Sequence, residues 1–256
     1  MTPAARYSFT NHKFPQVLKS NSKCPNLFDG TTRLYYDPLS FYGQRVRIAR
    51  SYKGLEEEIE CVAISISDKP VWFTEKLYPV GKVPVLEHNG QVKGESLDLL
   101  EYLDQEFGGP TIMPTEEDKK EAAAELLKYT DTFHTAWRRG LGSYDASPAA
   151  IENAVAPVLD YLENALRKYA TQGPFFLGHY SLVDVAYAPY IERFQIAFSG
   201  VSGVKYDITA GRPNLAKWIQ AINTVDAHTS NSLEHDGLRG EFQKVLDSGF
   251  FRRFSD

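Results

Sequence analysis

The sequence predicts an α/β domain followed by an all-helical domain. Three observations support this architecture: strand-like and helix-like segments alternate up to Phe107, glycine and proline cluster between Gly108 and Pro114, and every later segment has helical periodicity. The chain of 256 residues, of which 43% are hydrophobic, is long enough for two modest cores. We therefore expect a flexible leader at residues 1–28, the α/β domain at 29–108 and the helical domain at 115–256.

The first domain has the pattern of strand, helix, strand, helix, two strands and helix. Residues 59–66 are mostly apolar, which is typical of a strand covered on both faces of a sheet. Asn89-Gly90 between two short strand-like runs predicts a tight hairpin, and Gly54 lies where a helix should end. The predicted strands span 32–36, 59–66, 83–86 and 91–92, and the predicted helices span 42–52, 71–77 and 95–107.

The second domain contains helical patterns only. Ser181 and Asp184 have the spacing of a capping box, in which the two side chains satisfy backbone N–H groups at a helix start. This motif is structural rather than catalytic. The predicted helices span 117–139, 148–169, 181–198 and 213–225, and a basic, aromatic tail follows at 240–254.

Composition and charge argue against several classes of partner. The net charge of −5 includes no basic stripe, so nucleic acid is not an expected partner. No stretch approaches the roughly 20 apolar residues of a membrane-spanning helix, so no membrane association is expected. Cys24 and Cys61 have no metal-site spacing and are predicted to be free thiols in a reducing compartment. We expect no metal.

The leader is basic and contains no acidic residue before Asp29. This composition weakly resembles an organelle transit peptide, but the Arg-rich periodic pattern of such peptides is missing. We therefore expect a cytoplasmic protein, with a plastid as the alternative location.

A proline in a strand-like run is the first feature that indicates a binding site. Pro84 cannot donate a ladder hydrogen bond, so it belongs at a sheet edge or in a cis turn. In a cis arrangement, Val83 turns its backbone N–H and C=O outward, where an extended peptide can pair with them. An ordinary edge proline is the alternative.

Three polar residues lie at predicted helix starts. Glu95 and Ser96 are placed where backbone donors and a hydroxyl can hold a ligand carboxylate, although plain helix capping is the more common explanation for such residues alone. Ser40 precedes the first helix, and a serine there is more often a cap than a catalyst. Each signal is weak alone.

The order and spacing of these motifs resemble the glutathione transferase superfamily, and most of all its lambda class of plants. The resemblance runs from about Leu27 to past Val225 and covers both domains in register. It implies a thioredoxin-like N-terminal domain that binds glutathione as co-substrate, followed by an all-α domain. It also implies a monomer. The matching segments include Lys82-Val83-Pro84-Val85-Leu86-Glu87, Lys93-Gly94-Glu95-Ser96-Leu97-Asp98-Leu99, Gly173-Pro174-Phe175-Phe176-Leu177-Gly178 and Gly211-Arg212-Pro213-Asn214-Leu215.

The resemblance assigns glutathione-binding roles to particular residues. Val83 would pair with the cysteinyl backbone and Pro84 would be the cis-proline. Glu95 would hold the α-amino group of the γ-glutamyl end, and Ser96 its α-carboxylate. The glycyl carboxylate would face Lys69, with Lys82 as the second candidate.

One position departs from the family pattern. Lambda enzymes usually carry Cys-Pro-Phe-Ala-Gln-Arg at the first helix, where this chain has Ser40-Phe41-Tyr42-Gly43-Gln44-Arg45. A serine cannot form a mixed disulfide with glutathione, so little thiol-transfer or dehydroascorbate-type reduction is expected.

A serine hydroxyl can instead donate a hydrogen bond to the glutathione sulfur and favour the thiolate. Lowering a thiol pKa from about 8.5 to about 6.5 requires roughly 2.7 kcal/mol. One charge-assisted hydrogen bond contributes about 1.5–3 kcal/mol and a helix N-terminus roughly 0.3–1 kcal/mol, so Ser40 is sufficient. Tyr36 is the second candidate hydroxyl.

The second substrate is expected between the domains. The aromatic residues predicted to line that cleft could also be core, because aromatic side chains at helical spacing usually are. The predicted function is glutathione-dependent conjugation or reduction of small hydrophobic electrophiles. The alternatives are a non-catalytic carrier of hydrophobic or glutathionylated molecules such as flavonoids, and a purely structural role. The candidate lining residues are Phe41, Tyr42, Phe133, His134 and Trp137.

Overall fold

A computed structural model describes residues 16–143, 146–199, 205–234 and 237–252. Residues 1–15 of the expected leader and 253–254 of the basic tail lie outside these ranges. The order of elements confirms the predicted architecture, with a four-stranded sheet and its helices followed, among the described residues, by helices without a further strand.

The sheet has the strand order β2-β1-β3-β4. The strands are β1 (Thr32–Tyr36), β2 (Ile59–Ala63), β3 (Val85–His88) and β4 (Gln91–Lys93). β1 is parallel to β2 and antiparallel to β3, and β3 and β4 form the predicted hairpin. Asn89 and Gly90 adopt φ angles of 50° and 72°, as a two-residue type I′ turn requires.

The strand predicted at 59–66 is shorter than expected and is only partly covered. β2 ends at Ala63 and is the last strand on its side of the sheet, with Glu60 exposed and Cys61 half-buried. An apolar run alone does not distinguish an edge strand from a central one, which explains the error.

The leader meets the sheet beside this strand. Leu18 donates from its backbone to Ala63 O at 2.8 Å and accepts from Ser65 N at 2.9 Å. Trp72 Nε1 also donates to Ser22 O at 3.1 Å. The open edge near β2 therefore pairs with the leader at Leu18, a contact that the expectation of a flexible leader through residue 28 did not include.

Two layers cover the sheet. Helices α1 (Phe41–Tyr52) and α2 (Ser96–Glu106) pack on the face that carries Leu34 and Leu86. A single π-helical turn (Phe73–Leu77) covers the opposite face, which carries Tyr35 and Val85. α1 and α2 begin and end within one residue of the predicted bounds, and the π-helical turn begins two residues after the start of the helix predicted at 71–77.

The second domain contains helices α3 to α9 within the described residues. The predicted helix 117–139 is divided at Tyr129. The Thr130 hydroxyl donates to Leu127 O at 2.6 Å, and such back-bonding bends helices. The helix predicted at 213–225 ends at Ile222. The bounds are α3 (Glu117–Lys128), α4 (Thr130–Gly142), α5 (Pro148–Tyr169), α6 (Leu182–Ala197), α7 (Pro213–Ile222), α8 (Asp226–Thr229) and α9 (Arg239–Asp247).

Buried polar contacts join the two domains next to the start of α1. Arg193 of α6 donates to Leu39 O at 2.8 Å and to Gln44 Oε1 at 2.6 Å, and it is fully buried. Gln44 Nε2 donates to Glu192 Oε2 at 2.6 Å. We call this set of contacts the α1–α6 clamp.

Gly109, between the domains, allows a close backbone contact that no other residue permits. Its φ is +91°, and a Cβ there would lie 2.2 Å from the carbonyl oxygen of Lys53. Gly109→Ala should therefore lower the free energy of unfolding by about 2–4 kcal/mol, measured by chemical denaturation. Gly108→Ala is the matched control, because a Cβ there meets nothing within 4 Å. Equal stability of the two variants would contradict this prediction.

Candidate functional site

Three loops meet at one end of the sheet, because the register of the strands places them there. Tyr35 near the end of β1 pairs with Val85 at the start of β3, and Leu86 pairs with Lys93 at the end of β4. The residues after β1, before β3 and after β4 therefore meet at that end. These are the loops that carry Ser40, Val83-Pro84 and Glu95-Ser96.

Ser40 is the N-cap of α1. Its Oγ accepts from the backbone N–H of Gly43 at 3.2 Å, and its side chain is half-buried. An oxygen that accepts this bond keeps its hydroxyl proton for another acceptor. The cap and the proposed thiolate donor are therefore compatible in one residue.

The loop before β3 contains a cis peptide bond between Val83 and Pro84. Within the described chain, no hydrogen bond uses the backbone N–H or C=O of Val83. Lys69 is half-buried and donates from Nζ to Gly81 O at 2.8 Å, so it supports this loop.

Glu95 has a backbone conformation that its sequence does not reveal. It is the N-cap of α2 with φ 61° and ψ 113°, an uncommon region for a residue other than glycine. Its side chain is 66% exposed, and the carboxylate lies 3.9 Å from Lys82 Nζ. Such outliers cluster at ligand sites, so this carboxylate is a candidate for ligand contact.

Ser96 begins α2 and is buried, in contrast to Glu95. Its Oγ accepts from Nη1 of Arg45 at 3.2 Å. The sequence alone predicts no role for Arg45. The one indication in the sequence is a charged residue, Arg45, close to the apolar positions Val46 and Ile48 of α1.

Of the five predicted lining residues, three are buried and two are half-buried. Phe133 is fully buried and Trp137 is 2% exposed, so neither lines an open cleft. Phe41 is also buried and packs on Trp137 with a ring-centroid distance of 4.9 Å. Contact of these three with a second substrate therefore remains a prediction, one that their burial disfavours. Tyr42 and His134 are half-buried and remain candidates.

The imidazole of His134 is uncharged near neutral pH. Burial, together with Arg138 and Arg45, lowers the pKa of His134 to about 4. Its Nδ1 is buried without a hydrogen-bond partner among the described residues. The imidazole therefore presents a polar but uncharged edge next to Tyr42, with 5.9 Å between the ring centroids.

Tyr36 is poorly placed for the role of second hydroxyl donor. It is 2% exposed, and the guanidinium of Arg47 lies 4.9 Å from its ring centroid. Ser40 remains the better candidate.

Other site classes find no support in the described part of the chain. There, no three His, Cys, Asp or Glu side chains are grouped as metal ligands, and neither cysteine forms a disulfide. None of the described helices has the length and apolar character needed to cross a bilayer.

Comparison with known proteins identifies the family. Residues 34–111 match the model of the glutathione S-transferase N-terminal domain, and residues 136–221 match that of its C-terminal domain. The chain belongs to the glutathione transferase family of enzymes, whose co-substrate is glutathione, and the predicted fold class is confirmed.

Several plant proteins are similar to this chain over most of its length. Glutathione S-transferase L3 of Arabidopsis thaliana is 47% identical, over 90% of this chain and 94% of the relative. Glutathione S-transferase L2, chloroplastic, of the same plant is 50% identical, over 90% and 76%. Protein IN2-1 homolog B of Oryza sativa subsp. japonica is 52% identical, over 86% and 87%. The first two carry the L designation of the lambda class.

Solved structures agree on the fold. The Tau class glutathione S-transferase of mango superposes with a TM-score of 0.72 at 27% identity, covering 84% of this chain and 98% of its own. Rice GST1, solved in complex with glutathione, gives 0.68 at 23% identity, covering 86% and 99%.

Proposed function

We propose that this protein is a lambda-class glutathione transferase in which Ser40 stabilises the glutathione thiolate. The observation that carries the proposal is the geometry of the α1 cap. Gly43 N–H occupies one acceptor site of Ser40 Oγ, which leaves the hydroxyl proton to be donated to a sulfur at the helix N-terminus.

In the proposed reaction the nucleophile is the glutathione thiolate, and no protein side chain forms a bond to the substrate. The glutathione thiol loses its proton to solvent, and the hydrogen bond from Ser40 favours the resulting thiolate. The thiolate sulfur then attacks an electrophilic carbon of a small hydrophobic molecule. A carbon–sulfur bond forms, and the leaving group departs with its electron pair.

The peptide is held by the other two loops at the same sheet end. Val83 offers its backbone to the cysteinyl residue. Glu95 attracts the α-amino group, and Ser96 donates to the α-carboxylate. The glycyl carboxylate lies toward Lys69 or Lys82. Lys82 Nζ lies 3.9 Å from the Glu95 carboxylate, and both side chains are exposed.

The second substrate would contact Tyr42 and His134, the two aromatic candidates that are not core. A neutral imidazole next to a phenol ring suits an apolar molecule with one polar group. We further propose a monomer in the cytoplasm. The plastid is the alternative location, because one relative is named chloroplastic.

Glu95→Ala tests the binding half of the proposal. Loss of the carboxylate leaves the α-amino group of glutathione unpaired, so binding should weaken by about 1.5–3 kcal/mol in calorimetry. Glu101→Ala removes an exposed carboxylate from the same helix and should leave the affinity unchanged. Equal affinities of wild type and Glu95→Ala would remove Glu95 from the site.

Turnover of an activated aryl chloride with glutathione tests the catalytic half. Conjugation by the wild type supports the transferase. Tight glutathione binding without turnover of this or other electrophiles would contradict it and favour the non-catalytic carrier.

A further inference from the structure

Arg45 is a buried cationic residue next to the start of α2. Its side chain extends from α1 and is 2% exposed. Nε donates to Ala186 O at 2.9 Å, and Nη1 donates to Ser96 Oγ at 3.2 Å. Nη2 is buried and has no hydrogen-bond partner among the described residues. The guanidinium therefore has unused donor capacity.

The charge of Arg45 has no anionic partner in the described part of the chain. The guanidinium carbon lies 5.9, 5.3 and 5.1 Å from the ring centroids of Phe41, Tyr42 and Tyr190. Burial raises the pKa of both tyrosines, so their hydroxyls stay neutral and supply no counter-charge. Because an unpaired buried charge is costly, its presence fits a site whose anion arrives with the ligand.

The hydrogen bond from Arg45 also orients Ser96. Once Nη1 occupies an acceptor site of Ser96 Oγ, the hydroxyl proton points away from the guanidinium. Ser96 lies in the first turn of α2, where backbone N–H groups are available to an anion. A carboxylate there receives the hydroxyl proton and these N–H groups, with the buried cation behind them.

We propose that Arg45 is a positioning residue for the α-carboxylate of the γ-glutamyl group. It acts by orienting the Ser96 hydroxyl and by placing a fixed positive charge behind the first turn of α2. The inference rests on the proposed glutathione site.

The test compares glutathione with γ-aminobutyryl-cysteinyl-glycine, which lacks only the α-carboxylate. Wild type should bind glutathione at least about 30-fold more tightly than this analogue in calorimetry. Arg45→Met, which keeps the side-chain volume, should reduce that preference about tenfold and change the affinity for the analogue less than about twofold. A merely structural role would lower both affinities together.

Two further variants separate the possible failures. Ser96→Ala should also reduce the preference, and Arg45→Met should add little to it, because the two residues act as one unit. If wild type does not distinguish the two peptides, the proposed carboxylate site itself fails. If Ser96→Ala loses the preference and Arg45→Met keeps it, only the role of Arg45 is overturned.

The controls address folding. Arg212→Met removes another buried arginine, one that pairs with Asp160 at 2.7 Å in the helical domain, and should leave the preference unchanged. If Arg45→Met does not fold, Arg45→Lys decides the question. Lysine keeps the charge but cannot reach Ala186 O and Ser96 Oγ in the same geometry, so the preference should fall at least about threefold. An unchanged preference in Arg45→Lys would overturn the proposal.

Discussion

Ser40→Cys should give the protein a thiol-transfer activity at least about 100-fold above that of the wild type. A cysteine at this position places its sulfur at the N-terminus of α1, where the helix dipole lowers the thiol pKa. The new thiolate would attack the disulfide of a glutathionylated substrate and release the substrate thiol. Glutathione thiolate would then attack the mixed disulfide, release oxidised glutathione and restore the cysteine thiolate.

The measurement is the glutathione-dependent reduction of a mixed disulfide between glutathione and a small thiol. Ser147→Cys is the matched control, because Ser147 caps α5 in the same way and accepts from Ala150 N at 3.3 Å. That thiol has no glutathione site beside it and should give no such activity. Equal activity of the two variants would show that any capped cysteine suffices and that Ser40 has no special position.

Ser40→Ala gives the complementary result. Without the hydroxyl donor, the pKa of bound glutathione should rise by about 1–2 units, and conjugation near neutral pH should fall accordingly. Spectroscopic titration of the bound thiolate measures this. The same pKa in wild type and Ser40→Ala would assign the stabilisation to the helix N-terminus alone and reduce Ser40 to a cap.

Asp184→Asn should cause a large loss of stability, about 3–5 kcal/mol in the free energy of unfolding. The Asp184 carboxylate is completely buried and accepts from both the N–H and the hydroxyl of Ser181, from Phe176 N and from Trp218 Nε1. An asparagine directs an NH₂ group at some of these donors and leaves them unsatisfied.

Chemical denaturation at pH 7.5 measures this effect. Burial raises the pKa of Asp184 to about 6 although its hydrogen-bond donors oppose the shift, so the side chain is ionised under these conditions. Asp131→Asn, in the first turn of α4 and exposed, should change the stability by less than about 0.5 kcal/mol. A loss below about 1 kcal/mol for Asp184→Asn would contradict the prediction that this carboxylate organises the domain.

The parts of the fold that local sequence determines were predictable. The Asn89-Gly90 turn, the Ser181–Asp184 capping box and the Pro148 helix start all depend on residues within a few positions of one another. β2 was not predictable to the same extent, because its place at the edge follows from the strand order. Its apolar residues are equally compatible with a central strand.

The candidate site shows the same limit. Ser40, Val83 and Glu95 could be named from motifs, since each lies at a recognisable helix start or proline turn. Arg45 could not, because its partners are Ser96, 51 positions away along the chain, and Ala186, 141 positions away. The positive φ of Glu95 was hidden for a similar reason: surrounding structure, rather than residue type, holds it there.

Aromatic spacing alone could not place the second-substrate site. Phe133 and Trp137 lie four positions apart on α4, a spacing that suits a cleft wall and a core equally well. Both side chains are buried in the core. The indole Nε1 of Trp137 donates to Tyr190 O at 3.2 Å, so Trp137 also connects α4 to α6.

The α1–α6 clamp constrains how this protein can be recombined with its relatives. Arg193 belongs to the helical domain, yet it binds Leu39 O, the carbonyl immediately before Ser40. A chimera divided between Gly108 and Pro114 would therefore place Ser40 of one parent on a support from the other. Exchanging the helical domain, which carries Glu192 and Arg193, together with matched residues 39 and 44 should preserve the position of Ser40, and exchange of the domain alone should not. Shuffling at the visible domain boundary would thus divide a structural unit that extends across it and carries the proposed thiolate donor.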